Sequence, residues 1–413
     1  MDALSSVIDR IGSYWGLVPL GIAGVISWSV WLFRRVLSSR YKPTENDFRA
    51  STSVVVPSFR EDPDVIERCL KTWLDQDPDE IIIVPDVEDT ELIRRLTRHA
   101  RDNPVMRVIP FVHEGKRSAL GVGISAATKE IVVLCDSDTA WEPGLLAAVQ
   151  MPFVDPKVGG VGTRQSVYNA RTSVWRRVAN WLVDIRYLDY VPAQGRAGAV
   201  ACLSGRTAAY RREAILPVLH NLENEFFLGR RCIAGDDGRL TWLTLASGYK
   251  TMHQDSARAI SMFPDGLKPF IKQRVRWSRN SYRCYLTAIY KGWLFRQPLI
   301  CQISVLQILL TPVTMGVAMT YLGFWIARPQ ANAPLIAIAW LLGGRAVRGF
   351  SHLREHPRDI FILPVVVLMI VIVALPIKTW AFISMNKQGW LTRRADLIGG
   401  EGQSDASVRM SQK

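Results

Sequence analysis

The chain has 413 residues, 48% of them hydrophobic, with 29 glycines, 22 prolines and 21% charged residues. These values exclude collagen-like, low-complexity and wholly disordered chains, and the length suffices for a domain of roughly 200–250 residues plus further apolar material. Lysine and arginine exceed aspartate and glutamate by 51 to 37, a net +14 that favours polyanions, anionic lipids or phosphate-bearing ligands.

Residues 14–33 and most of 298–385 are nearly continuous hydrocarbon, and about 20 such residues suffice to cross a bilayer. A membrane protein with a large hydrophilic middle is expected. The first run, Tyr14 to Phe33, lacks the basic start and cleavage site of a signal peptide, so residues 1–42 read as a retained anchor. Arg34, Arg35, Arg40 and Lys42 follow it, whereas Asp2, Asp9 and Arg10 precede it. The positive-inside bias then places the amino terminus outside and the hydrophilic middle in the cytosol.

Within the next segment, 43–263, short apolar runs alternate with helical stretches. The runs are Ser53-Val54-Val55-Val56, Ile81-Ile82-Ile83-Val84, Met106-Arg107-Val108-Ile109 and Ile131-Val132-Val133-Leu134, separated by amphipathic segments such as 63–76 and 89–101. Runs of this kind mark strands buried on both faces, which predicts an α/β domain with a mostly parallel sheet. Ligands of such sheets bind at the carboxyl ends of strands. Those ends carry Pro57-Ser58-Phe59-Arg60-Glu61-Asp62, then Pro85-Asp86, then His113-Glu114-Gly115-Lys116-Arg117, then Asp136-Ser137-Asp138. One shared site is the economical explanation.

Residues 264–297 are rich in arginine and aromatics and predict amphipathic helices at the bilayer surface. Apolar blocks at about 298–327, 333–350 and 360–383 form a C-terminal membrane region, 298–388, and a polar tail closes the chain over 389–413. The six cysteines include no C-x-x-C pair and do not interleave with histidine at zinc spacing, so a disulfide scaffold or structural zinc is not expected.

Four clusters carry chemistry. Asp136 and Asp138, two residues apart at a strand end, can share an oxygen-liganded divalent cation, Mg2+ or Mn2+, although an isolated D-x-D is more often a polar turn. Lys116 and Arg117 offer positive charge to a diphosphate, and Asp86 could hold a base or ribose or else cap a helix. Gly235-Asp236-Asp237, read as a loop before a helix Leu240 to Ala246, offers a general base or an N-cap. Gln273 and Trp277 share a helix face with Arg276 beside them; tryptophan stacks on sugar rings and arginine pairs with phosphate, while an interfacial basic-aromatic helix is the plainer alternative.

The ordered set PSFREDP (57–63), Asp86, HEGKRSAL (113–120), DSD (136–138), SGRTAAYRRE (204–213), GDD (235–237) and QRVRW (273–277) resembles the processive family 2 glycosyltransferases. Within them it is similar to hyaluronan synthases, nodulation chitooligosaccharide synthases and type 3 capsule synthases. RAVRGFSHLREHP, LPIKTWAFISM and WLTR (390–393) extend the likeness to about residue 395. The resemblance implies a GT-A, Rossmann-like domain in the cytosol, embedded between transmembrane helices of a multi-pass cell-membrane protein, and no nucleic-acid partner. It implies a UDP-sugar donor, Mg2+ or Mn2+ on Asp138 with Asp136 nearby, a growing polysaccharide as acceptor, and export through the bilayer.

By the same motifs, Asp237 is implied as general base beside Asp236. Pro57, Ser58, Arg60, Glu61, Asp86, Lys116, Arg117 and Asp136 are implied at the UDP-sugar, and Ser204, Gly205, Arg206, Gln273, Arg276, Trp277, Trp390 and Arg393 at acceptor and diphosphate. Three departures bear on the sugar. Pro85 and Val87 flank Asp86, Gly238 follows GDD, and Arg206 stands where hyaluronan synthases carry a Gly-Pro, so that it could accept a carboxylate or another hydroxyl pattern. Transfer of one sugar to a lipid phosphate and a non-catalytic channel or regulatory subunit are the alternatives; intact Asp136, Asp138 and Asp237 weigh against the latter.

Overall fold

Three of the four apolar runs become strands buried on both faces, whereas the remaining one, Met106–Val108, lies at the sheet edge and leaves Arg107 exposed. A computed structural model describes residues 21–327 and 333–389. In chain order the strands are β1 (Thr52–Ser58), β2 (Glu80–Pro85), β3 (Met106–Val108), β4 (Ile131–Cys135), β5 (Thr139–Trp141), β6 (Val158–Val167), β7 (Thr207–Arg211), β8 (Phe226–Phe227), β9 (Arg230–Arg231) and β10 (Lys250–Ser261). Eight of them form one sheet in the order β3-β2-β1-β4-β7-β6-β10-β5, and β8 and β9 form a separate hairpin. β3, β2, β1 and β4 are mutually parallel, as are β6 and β10. β7 runs antiparallel between β4 and β6, and β5 antiparallel to β10. The sheet is thus mostly parallel, as expected.

Side chains alternate across the pleat, which assigns successive residues to two cores. Val55, Ile82, Val132 and Leu134 enter one with Trp181 and Phe270; Val54, Val56, Ile81 and Val133 enter the other with Trp73 and Phe153. The amphipathic segments form the helices Pro63–Leu74, begun by Asp62 accepting from the Asp64 amide, and Thr90–Asp102. Their apolar stripes cover the second face of the sheet.

The first core does not stop at the α/β domain. Ile362, Leu363, Val366 and Met369 of the C-terminal apolar segment join it directly. The surrounding helices are Gly21–Ser39, Leu267–Tyr290, Leu299–Ile326 and Ala333–Arg348. Leu299–Ile326 and the stretch Pro357–Ile383, at 28 and 27 residues, are long and apolar enough to cross a membrane. Pro312 does not split the first. The stretch 264–297 holds one long helix and a short 3-10 turn rather than several amphipathic helices, because Phe270, Tyr282 and Tyr285 all bury into protein.

Several charged side chains within or beside the apolar segments face protein. Arg35 pairs with Asp189 at 2.7 Å, and Arg34 lies 3.5 Å from the Tyr190 ring and donates to Gln307. Asp189 and Tyr190 belong to a π-helical turn, Arg186–Tyr190, that continues the helix Val174–Ile185. Arg348 sits over Trp28 at 4.4 Å, Arg345 Nε is buried, and Lys378 donates to Ser278 Oγ at 3.1 Å. His352, fully buried, lies between Asp184 at 2.7 Å and Asp359 at 3.0 Å.

Candidate active site

β4 ends at Cys135, and the next residues turn at the sheet edge. The Asp136 amide donates to the Arg206 carbonyl at 3.0 Å, which ties Asp136-Ser137-Asp138 to the segment entering β7. Ser137 Oγ donates to the buried Glu61 at 3.1 Å, bringing in the end of β1. Lys116 opens the helix Lys116–Ala126 immediately after Gly115, whose φ of 107° and 2.8 Å clearance to Ile233 Cβ admit no side chain. From there its Nζ donates to Asp136 Oδ1 at 2.7 Å and lies 3.1 Å from Asp236 Oδ2.

Asp236 and Asp237 are not in a loop, as the sequence suggested. The helix starts at Asp236, four residues earlier than the apolar pattern indicates, after Gly235 at φ 76°. Two carboxylates in the first turn complement the helix dipole. Asp236 is buried against Lys116, whereas Asp237 is only partly buried, its Oδ1 accepting from the Gly238 amide at 2.8 Å and its Oδ2 3.7 Å from Cys202 Sγ. Gly205 closes the group: a Cβ there would stand 3.3 Å from Lys116 Nζ and 3.4 Å from Asp236 Oδ2.

These residues line one cleft of about 300 Å³, together with Pro57, Glu61, Asp138, Ser204, Arg206, Gln273, Arg276 and Trp277. Burial opposes charge on Lys116, but Asp136 and Asp236 outweigh it and raise its pKa, so the ammonium persists at any physiological pH. Asp136 is pushed upward, first by burial and then by the like charges of Asp138 and Asp236, with Lys116 opposing. A desolvated carboxylate with a second one two residues away offers adjacent oxygen donors, which suit a hard divalent cation.

Four expected residues lie elsewhere. Arg117 points away from the cleft because it comes one helical step after Lys116; it is buried and pairs with Glu225 at 2.7 Å, a structural ion pair in place of the expected donor contact. Ser58 is buried beneath the edge, and Arg60, at φ 50°, reaches Glu88 at 3.4 Å. Asp86 is buried just after β2, accepting from the Glu88 amide at 2.9 Å and lying 3.5 Å from His113 Nδ1. The His113 ring stacks on Phe59 at 3.9 Å, and its burial lowers its pKa against the pull of Asp86. Trp390 and Arg393 fall outside the described residues.

Arg186, Tyr187, Cys202, Arg274, Cys284 and Tyr285 also line the cleft without having been expected there. Arg274 stood in plain view inside QRVRW as an apparent spacer. No periodicity announces the π-helical turn that carries Arg186 and Tyr187.

Residues 49–280, more than half the chain, match the family described as glycosyltransferase like family 2. The chain belongs to that family. The protein is therefore a glycosyltransferase with a GT-A-like fold. An N-acetylglucosaminyltransferase of Azorhizobium caulinodans is 28% identical over 83% of this chain and 87% of its own. A hyaluronan synthase of Streptococcus pyogenes is 27% identical over 95% of both chains. In structure, a mannosyltransferase of Pyrobaculum calidifontis, solved with GDP-Man and Mn2+, overlays with a TM-score of 0.58 at 21% identity, covering 85% of this chain and 98% of its own.

Proposed function

We propose that this glycosyltransferase is a processive, inverting polysaccharide synthase that draws on UDP-activated sugars and passes its product outward along the membrane helices. The observation that carries the reading is Lys116 held between Asp136 and Asp236, with the more open Asp237 beside them, in one cleft bordered by the Trp277 helix. Asp138 and Asp136 would hold Mg2+ or Mn2+, which when bound supplies countercharge to the donor diphosphate.

Asp237 takes the proton of the acceptor hydroxyl as that oxygen attacks the anomeric carbon from the face opposite the leaving group. The Lys116 ammonium, fixed in a partly desolvated site, stabilises charge building on the departing UDP; such preorganised electrostatics usually contribute the largest share of the rate. Gln273 and Arg276 orient diphosphate and acceptor, and Trp277 offers its ring face to a sugar. Asp86, with the Phe59–His113 stack beside it, is assigned to the uridine, and Trp390 and Arg393 to a segment returning over the nucleotide. A polar glycan cannot enter hydrocarbon unaccompanied, and the helices fused to the catalytic core provide a route beside the cleft.

Asp237→Asn removes the base while keeping shape. Polymer synthesis is expected to fall about a hundredfold or more, with UDP still bound at near-native affinity by calorimetry. Near-normal turnover in that variant would remove Asp237 from the mechanism. Product sizing separates polymer from transfer of a single sugar to a lipid phosphate.

A further inference from the structure

Three arginines meet on the acceptor wall of the cleft. The Arg206 guanidinium lies 4.0 Å from the Phe263 ring and 5.0 Å from Trp277. Arg274 lies 4.7 Å from Phe270 and 4.9 Å from Trp277, so Trp277 is contacted by both. Arg186, at the start of the π-helical turn, donates to the Cys202 carbonyl at 3.0 Å and lines the same wall.

Several other buried or half-buried arginines have carboxylate partners, as Arg35, Arg95, Arg117, Arg164 and Arg177 do. Among the described residues Arg186, Arg206 and Arg274 form no ion pair. Nε and Nη2 of Arg274 are buried without any hydrogen-bond partner. Burial, followed by repulsion from Arg206 and Arg186, pulls the Arg274 pKa down to about 9. A buried guanidinium without an acceptor is costly, and like charges sharing its wall compound the cost. Burial disfavours the Arg206 charge while Asp138 and Asp136 attract it. Among the described residues, however, no cleft acid forms an ion pair with the three guanidiniums, and Asp136 and Asp236 are engaged by Lys116.

Resting on the polymerase reading above, we propose that the acceptor end of the cleft is an anion subsite. Arg186, Arg206 and Arg274 around Trp277 bind an oxyanion carried by the acceptor, either the carboxylate of a uronic acid residue or the phosphate of a lipid-linked starter. Aromatic rings behind two of the guanidiniums leave their edges for paired hydrogen bonds to such a group. A wholly neutral chain, of N-acetylhexosamine alone, would leave all three without an anionic partner and is selected against.

The test uses the full-length protein in detergent and two matched pairs of probes: a uronate-containing oligosaccharide with its carboxyl-reduced derivative, and a prenyl phosphate with its prenyl alcohol. Binding is read by tryptophan fluorescence without donor. The charged member of one pair is expected to bind at least tenfold tighter than its neutral counterpart, and which pair responds identifies the source of the oxyanion. Arg274→Gln should shrink that ratio about tenfold, as loss of a charge-assisted hydrogen bond does. Arg186→Gln, on a more exposed residue, carries the same expectation if the first variant does not fold. Equal affinity within both pairs overturns the proposal, as does an unchanged ratio accompanied by weakened UDP binding, which would give the arginines to the donor. Failure of the polymerase reading shows separately, as no UDP release from any UDP-sugar while the binding ratio stands.

Discussion

Lys116 and Arg117 are chain neighbours that the fold sends in opposite directions. About 100° of helical rotation separates them, so Lys116 meets the acids of the cleft while Arg117 enters the interior. Glu225 accepts from Arg117 Nη1 at 2.7 Å and from Arg239 Nε at 2.8 Å, forming a buried triad. Glu225→Gln strands two guanidiniums and is expected to cost about 3–5 kcal/mol, seen as a lower thermal unfolding midpoint in detergent, with the donor KM of the surviving enzyme unchanged. A raised donor KM at unaltered stability would return Arg117 to the substrate. The identity of both residues as a basic pair at a strand end was legible in the sequence. Their directions were not, because the first residue of a helix is set by the positive φ of Gly115 and its packing on Ile233, a contact across more than a hundred residues. Asp237 was legible as a carboxylate of interest from the Gly235-Asp236-Asp237 run, whereas its approach to Cys202 at 3.7 Å was not.

Strands and helices differ in how plainly they announce themselves. β1, β2 and β4 were read from unbroken apolar runs because both faces are covered. β6, β7 and β10 were not, since Gly159, Gly160 and Gly162 in β6 and Thr251, His253 and Gln254 in β10 blur the alternation. Their polar side chains are buried but bonded inward, as Thr163 Oγ1 is to the Thr207 carbonyl at 2.8 Å. The joint between helices is likewise polar. His352, in the helix Phe350–Glu355, connects Asp184 of the Val174–Ile185 helix to Asp359, which also holds Arg177 at 2.7 Å. His352→Ala removes the ring that joins Asp184 to Asp359 and is expected to destabilise by about 2 kcal/mol. Thermal unfolding checks the size, and faster proteolysis near residue 356 checks that the loss is local to this joint; an unchanged midpoint would show that Arg177 on Asp359 and Asn180, which donates to Asp184 at 3.2 Å, suffice.

Across the whole molecule, the apolar stretch Pro357–Ile383 is fastened to the catalytic domain at both ends. Asp359 pairs with Arg177 near its start, and Ser384 accepts from Arg279 at 3.0 Å just after its finish. A straight span would put those ends on opposite sides of the bilayer. Phe361, Leu368, Ile372 and Ile383 are exposed along it, giving an apolar outer side while the other side joins the protein core. Counting every apolar block as a crossing from an outside amino terminus would put Lys387 outside, whereas ends fastened to one domain would put it on the side of Arg230. Lys387→Cys and Arg230→Cys, the latter on the β8–β9 hairpin, are therefore expected to share one pattern of labelling by an impermeant maleimide in intact cells and inverted vesicles. Opposite patterns would make the stretch a true crossing.

The π-helical turn at Arg186–Tyr190 places one extra residue per turn between the cleft, through Arg186, and the N-terminal helix, through Asp189. Deleting a single position there would rotate the downstream helix by about 100° relative to the upstream one, changing which side chains look toward the cleft and which toward the N-terminal helix. Specificity in such a scaffold can then drift by insertion and deletion, with every amino acid left as it was, so alignments that close the gap would compare residues that never do the same job.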